Sequence, residues 1–72
     1  MNKEVIGLNA GKVWEALNAA DAMGVKQLKK VTKLKEKEMF AAIGWLARED
    51  KINIQADDKD PKELILSLVQ GK

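Results

Sequence analysis

Apolar residues in the first third of the chain recur at the spacing of one helix face. The intervals are four, three and four positions, and the residues are Ile6, Ala10, Val13 and Leu17. Such a stripe is typical of an amphipathic helix that buries one side. The pattern predicts a helix from Lys3 to Ala20, and Asn2 is placed to cap its first turn.

Two more helices, separated by a tight turn, are predicted in the middle of the chain. Apolar residues at intervals of three favour a short second helix over residues 26–31: Val25, Leu28 and Val31. Thr32 and Lys33 form the turn after it. Leu34 is the apolar residue of this turn, and we expect it to be buried.

The third predicted helix begins at Lys35 or Glu36 and ends near Glu49. Successive steps of ~100° place one group of apolar residues on its inward side: Met39, Ala42, Ile43 and Leu46. The opposite side carries Lys37, Ala41, Gly44 and Arg48. The two flanks between these sides carry Phe40 and Trp45.

The pattern changes from helical to alternating after the third helix. Ile52, Ile54 and Ala56 alternate with polar residues, which predicts a half-buried strand. A polar turn follows, and residues 62–69 pair with this strand if they are extended, as alternating leucines there indicate. A helix is the alternative, because Asp60 and Pro61 are typical of a helix start. We predict a strand, since it gives residues 52–56 a backbone partner.

Three helices followed by a two-stranded hairpin have the element order of a winged helix-turn-helix domain, an α+β fold. The apolar positions that such domains fill are Leu28, Val31, Leu34, Ala42, Leu46 and Ile52. With the runs AGKVWEAL (10–17) and IGWLAREDKI (43–52), the chain resembles a group of small prokaryotic winged helix-turn-helix proteins of unassigned function. A length of 72 residues allows one domain, predicted over residues 1–72, and the resemblance spans nearly all of it. The fold alone implies no activity.

Two positions depart from the common helix-turn-helix pattern. Lys33 stands where many such units have glycine, and Lys35 stands where a serine or threonine cap is common. Since lysine rarely adopts a positive φ, we expect the turn to differ from the common shape. The third helix is expected to lack one means of satisfying its free amides.

The formal net charge of +2 hides a local concentration of basic residues. Residues 26–37 hold six lysines and one acid, a balance of +5, which leaves −3 for the rest of the chain. A basic helix-turn-helix is where a winged helix contacts phosphates of double-stranded DNA. The predicted nucleic-acid contacts are Lys26, Lys29, Lys30, Lys33, Lys37 and Arg48. Simple solvation of a lysine-rich helix is the alternative.

Several features favour phosphate contacts over base readout. Glu36 and Glu38 lie in the first turn of the third helix. The predicted hairpin, which is the wing of this fold, is acidic at residues 57, 58 and 60 of its turn. Ala41 and Gly44 on the outward side offer bases no side-chain hydrogen bonds. Transcription regulation by DNA binding is the first functional hypothesis, and a protein-interaction or dimerisation module without DNA binding is the second.

Small and aromatic residues define the candidate interface. In the first helix these are Gly7, Gly11 and Trp14, and in the third Phe40, Ala41, Gly44 and Trp45. Close approach by a helix of the same chain is the interpretation we favour for the glycines, and a homodimer contact is the alternative. For Phe40 and Trp45 we favour burial, against the first helix and the wing respectively.

Composition argues against catalysis and metal binding. The chain has no cysteine, histidine or tyrosine, and one serine and one threonine. It therefore lacks the usual general base and soft metal ligands, and we predict no enzyme activity, cofactor or metal. No stretch is long and apolar enough to span a membrane, so we expect a cytoplasmic protein. Because so small a domain buries a limited core, a homodimer is expected.

Overall fold

The computed structural model describes residues 1–69, which form three helices and a three-stranded antiparallel sheet. In chain order the elements are α1 (Lys3–Asn18), β1 (Met23–Gly24), α2 (Val25–Thr32), α3 (Glu36–Arg48), β2 (Ile52–Ala56) and β3 (Leu64–Leu68). The strand order in the sheet is β1-β3-β2. Three helices followed by a hairpin confirm the predicted α+β architecture.

Helix α1 begins as its sequence predicts. The Asn2 Oδ1 atom accepts a hydrogen bond from the Val5 N–H at 2.9 Å, which satisfies one free amide of the first turn. The apolar stripe is buried from Ala10 onward, while Ile6 is half-buried. Helix α1 packs mainly against α3, and it ends at Asn18, two residues earlier than predicted.

The core lies between the three helices and the inner face of the sheet. All four residues predicted to face inward from α3 are buried. The core consists of Ala10, Val13, Leu17, Val25, Leu28, Leu34, Met39, Ala42, Ile43, Leu46, Ile52 and Leu66.

The turn between α2 and α3 corrects one expectation. Lys33 has φ 60° and ψ 21°, the left-handed conformation that glycine usually supplies. Its N–H donates to the Lys29 carbonyl at 2.9 Å, and the Thr32 hydroxyl donates to the Leu28 carbonyl at 2.8 Å. Leu34 is buried, as predicted. The turn therefore has the common left-handed form, because burial of Leu34 and these hydrogen bonds hold lysine in it.

Helix α3 ends in a second left-handed residue that directs the chain into the hairpin. Asp50 has φ 59°, its N–H donates to the Ala47 carbonyl at 3.1 Å, and the Lys51 N–H donates to the Leu46 carbonyl at 3.0 Å. This pair of bonds is the Schellman motif. It satisfies the last carbonyls of α3 and positions Ile52 to enter the core.

The hairpin confirms the strand prediction for residues 64–68, and the helix alternative is wrong. Strands β2 and β3 pair antiparallel, with Ile54 opposite Leu66. Leu66 is fully buried, whereas Ile54 is 43% exposed and Ala56 is exposed. Of the three β2 residues predicted to be half-buried, only Ile52 is covered, because β2 is an edge strand and the core covers the central strand β3.

Candidate nucleic-acid interface

The lysines of α2 and of the following turn all lie on the protein surface. Lys26 and Lys30 are one helical turn apart, as are Lys29 and Lys33, so the four form two neighbouring rows. Each of these side chains is exposed. Because α2 buries Val25 and Leu28 on its other side, the basic surface is a direct consequence of its amphipathic pattern. We call Lys26, Lys29, Lys30, Lys33 and Lys37 the basic surface.

The outward side of α3 continues from this surface. Lys37, Gly44 and Arg48 are exposed, and Ala41 is half-buried. Lys37 lies in the first turn of α3, close in sequence to the lysine-rich turn, whereas Arg48 is roughly 16 Å further along the helix axis. The structure therefore separates Arg48 from the cluster.

Lys26 differs from the other lysines because it has an acidic neighbour. Its Nζ lies 3.8 Å from Asp60 Oδ2, and both side chains are well exposed. An exposed pair of this kind contributes little to stability. It nevertheless shows that the acidic turn of the hairpin lies beside the first turn of α2.

Two of the three wing aspartates hold the hairpin turn. Asp57 Oδ1 accepts from the Lys59 N–H and Asp60 Oδ1 from the Lys62 N–H, each at 3.0 Å. These are Asx turns, in which the side chain substitutes for a backbone acceptor. Asp58 is exposed.

Glu38 supplies part of the N-terminal cap that α3 was expected to lack. Its Oε1 atom accepts a hydrogen bond from the Lys35 N–H at 3.0 Å, which is one half of a capping box. An ammonium group has no acceptor, so the Lys35 side chain contributes nothing to the other half. Glu38 is half-buried, while Glu36 is exposed. One of the two acids near the basic surface is thus structural.

Four of the candidate interface residues line a groove of about 290 Å³ between α1 and α3: Gly7, Gly11, Trp14 and Trp45. A Cβ atom placed on Gly7 would lie 3.8 Å from Cζ2 of Trp45, whereas Gly11 has open space above it. The element that approaches Gly7 is therefore a helix of the same chain, as we favoured. Glu15 and Lys51 also line this groove.

The aromatic residues of α3 are more exposed than predicted. Phe40 is 40% and Trp45 39% exposed, so the expectation that both are buried is wrong. Trp45 lies against Gly7 of α1 rather than against the hairpin. Phe40 lies ~140° from Trp45 around the axis of α3. It is therefore on the side of Gly44 and Lys37 and not beside the groove. The predicted interface residues thus fall on two surfaces.

The sequence pattern did not predict two buried polar atoms. Among residues 1–69, Asn9 Nδ2 and Glu63 Oε1 are buried without a hydrogen-bond partner. Asn9 follows Ile6 by three positions and precedes Val13 by four. The helical spacing alone could therefore have placed it on the apolar face of α1. Glu63 lies against Gly24, where a Cβ would come within 2.6 Å of its Oε2 atom. Only the pairing of β1 with β3 reveals that contact.

Metal-binding clusters and membrane-spanning helices are both absent from the described part of the chain. Residues 1–69 contain no group of three or more carboxylates arranged to hold a metal ion. Over the same residues, none of the helices has the length and apolar character needed to cross a bilayer.

A family of winged helix-turn-helix domains (DUF2582) has a sequence model that matches residues 1–67. The chain belongs to this family. An uncharacterised protein of Methanocaldococcus jannaschii, MJ1608, is 43% identical over 60 residues, which cover 75% of this chain and 80% of that protein. The predicted family and fold are confirmed.

Solved structures of the same fold include both a sequence relative and a DNA-binding protein. The solution structure of BT2368 from Bacteroides thetaiotaomicron has a TM-score of 0.80 at 37% identity, over 94% of this chain and 79% of that one. Bordetella bronchiseptica BpsR, whose DNA binding is regulated by 6-hydroxynicotinic acid, has a TM-score of 0.79 at 16% identity, over 96% of this chain and 52% of that one. At this identity BpsR is similar in fold alone.

Proposed function

We propose that this chain is a DNA-binding regulatory protein that contacts the duplex mainly through phosphates. The observation that supports it is the exposed basic surface, carried by the helix-turn-helix of a winged-helix fold. BpsR, a protein of the same fold, binds DNA. Lysines act on phosphates as point charges, and each neutralised phosphate releases counterions, so binding is strongly salt-dependent.

Base readout has a small part in this proposal. The middle of the outward side of α3 is Ala41 and Gly44, which carry no side-chain donor or acceptor. Direct readout needs such groups in the major groove. We therefore propose weak sequence preference, with Lys37 and Arg48 contacting the backbone at the two ends of α3.

The lysines are proposed to contribute unequally. Asp60 lies beside Lys26 and offsets part of its charge, whereas the structure gives Lys29 and Lys30 no acidic partner among residues 1–69. Lys29 and Lys30 are therefore the residues on which phosphate binding depends most. Lys33 adds a further charge at the turn.

Fluorescence anisotropy with a labelled duplex tests this proposal at two salt concentrations. We expect binding at low salt that weakens as salt increases, and we expect Lys29→Glu and Lys30→Glu each to weaken it. The matched control is Lys3→Glu, which makes the same charge change on α1. The proposal fails if the wild type does not bind at low salt, or if Lys3→Glu is as harmful as Lys30→Glu.

We further propose that the chain acts as one domain over residues 1–72, in the cytoplasm, as a homodimer without enzyme activity. These properties fit a small regulator, since two copies present two helix-turn-helix units to the backbone of one duplex. Sedimentation at several protein concentrations measures the oligomeric state. A strictly monomeric protein would contradict the dimer.

The groove between α1 and α3 supports a second candidate function, protein interaction without DNA binding. Trp14 and Trp45 are exposed beside open space over Gly11, and tryptophan is enriched in interface centres. Gly11→Leu would fill the groove with little strain. This function is favoured if DNA binding is absent and Gly11→Leu abolishes an association that the wild type shows.

A further inference from the structure

Strand β2 lies at the edge of the sheet with hydrogen-bonding groups that point outward. The Lys51 carbonyl accepts from the Val69 N–H, and the Asp57 N–H donates to the Glu63 carbonyl, each at 3.0 Å. In an antiparallel pair such bonded positions alternate, so residues 51, 53, 55 and 57 face β3. The N–H and C=O groups of Ile52, Ile54 and Ala56 therefore face away from it. Within residues 1–69 no strand lies on that side.

This edge lacks the features that usually prevent strand pairing. Proteins protect their edges with charged residues, proline, bulges or very short strands. The five residues of β2 are Ile, Asn, Ile, Gln and Ala, with no charge, proline or glycine. Ile54 at the centre is 43% exposed. The opposite edge, β1, is protected by its length of two residues.

We propose that β2 pairs antiparallel with β2 of a second copy of this chain, around a twofold axis at Ile54. In this register Ile54 is opposite the partner's Ile54, and Ile52 is opposite the partner's Ala56. These are the residues with outward N–H and C=O groups, so every one of these groups gains a partner. The two Ile54 side chains lie on the same face and cover each other.

Charge complementarity at both ends selects this partner and this register. Lys51 comes opposite the partner's Asp57, and the partner's Lys51 comes opposite Asp57. Both of these Lys51–Asp57 pairs lie at non-hydrogen-bonded positions, where facing side chains are closest and opposite charges stabilise the pair. Asn53 faces the partner's Gln55. A shift by two residues would break both ion pairs and leave one end of β2 unpaired.

The proposed contact produces a closed dimer. Both copies use the same edge, which makes an isologous dimer rather than a fibre. A single strand pair covers less surface than a standard stable interface, so we expect dimerisation to depend on protein concentration. This inference rests on the homodimer part of the proposed function and not on DNA binding, which is measured separately.

Sedimentation equilibrium tests the contact through two matched substitutions. Ile54→Lys places a charge at the twofold axis, and we expect it to weaken self-association by about tenfold or more. Leu8→Lys makes the same change on α1, where Leu8 is 71% exposed, and we expect no effect. Lys51→Glu should weaken the dimer as well, because it faces the partner's Asp57. A wild type that stays monomeric, or a dimer weakened equally by Leu8→Lys, would overturn the proposal.

Cross-linking gives a second readout that does not depend on a disruptive substitution. The chain has no cysteine, so Ile54→Cys introduces a single thiol. At a hydrogen-bonded pair the Cα atoms are ~5.5 Å apart, within the range of a disulfide. We expect Ile54→Cys to form a disulfide dimer under mild oxidation much faster than Leu8→Cys, and equal rates would overturn the contact. If the wild type does not bind DNA, the proposed DNA-binding function is refuted. The self-association and cross-linking results would be unaffected.

Discussion

Lys33 holds the turn between α2 and α3 at a φ of 60°, where a side chain costs ~1–2 kcal/mol that glycine avoids. Replacing Lys33 by glycine removes this cost. Glycine also loses more backbone entropy on folding, which offsets part of the resulting gain in stability. We therefore expect Lys33→Gly to raise the free energy of unfolding by ~0.5–1 kcal/mol, measured by urea denaturation.

Lys33→Ala is the control for that variant. It removes the same charge and keeps the Cβ atom, so it should bring no comparable gain in stability. Both variants should reduce DNA affinity equally. A Lys33→Gly protein that is no more stable than Lys33→Ala would contradict a left-handed residue at this position.

At the residue scale, the sequence predicted which side chains face the core but not how far each is covered. Periodicity identified the inward positions of α3 correctly, since burial there follows directly from helix geometry. Ile54 has the right alternation and still lies 43% exposed, because burial also depends on whether a strand is at the edge of the sheet, as β2 is, or at its centre. The positive φ of Lys33 was unpredictable from propensity, which tertiary contacts override at this turn.

At the element scale, Glu38 fixes the start of α3. Glu38→Ala removes the acceptor of the Lys35 N–H, and we expect it to lower the free energy of unfolding by ~1 kcal/mol. Glu38→Gln keeps an oxygen at that place and should be close to the wild type. Urea denaturation of both variants separates the hydrogen bond from the charge, and equal losses would show that the charge matters instead.

Strands β2 and β3 differ in burial at one paired position. Leu66 is fully buried, while Ile54 opposite it is partly exposed. Leu66→Ala should lower the free energy of unfolding by ~2–5 kcal/mol through lost burial and a cavity. Ile54→Ala should cost less than ~1 kcal/mol at low protein concentration. The measurement is circular dichroism in urea, and similar losses at both positions would contradict the observed difference in burial between the central strand β3 and the edge strand β2.

Element boundaries show which signals the sequence carried. Long periodic segments identified α1, α3 and β2, but β1 has only two residues and therefore no period to detect. The signals that suggested a helix at Asp60 belong instead to a turn. There the Asp60 side chain accepts from the Lys62 N–H and its carbonyl from the Glu63 N–H, which is the same local chemistry as a helix cap.

At the scale of the whole molecule, the fold brings together charges that are distant in sequence. The basic run was visible in the sequence, and its exposure follows from the amphipathic pattern of α2. That Lys26 has Asp60 as a neighbour was not visible, because it requires β1 to pair with β3 beside α2. The basic surface is thus bordered by an acidic hairpin turn.

Because the acidic hairpin turn lies beside the basic surface, a substitution at Asp58 tests whether the hairpin lies close to bound DNA. Asp58 is exposed, whereas Asp57 and Asp60 hold the turn, so Asp58→Asn removes a charge without altering the fold. A unit charge ~10 Å from a phosphate in water contributes ~0.4 kcal/mol, or about a twofold change in affinity. We expect Asp58→Asn to raise DNA affinity about twofold at low salt, with the difference lost at high salt as screening shortens the interaction. Asp21→Asn, an exposed acid beyond the other end of the hairpin, should change nothing, and an equal rise in both variants would mean that only net charge matters.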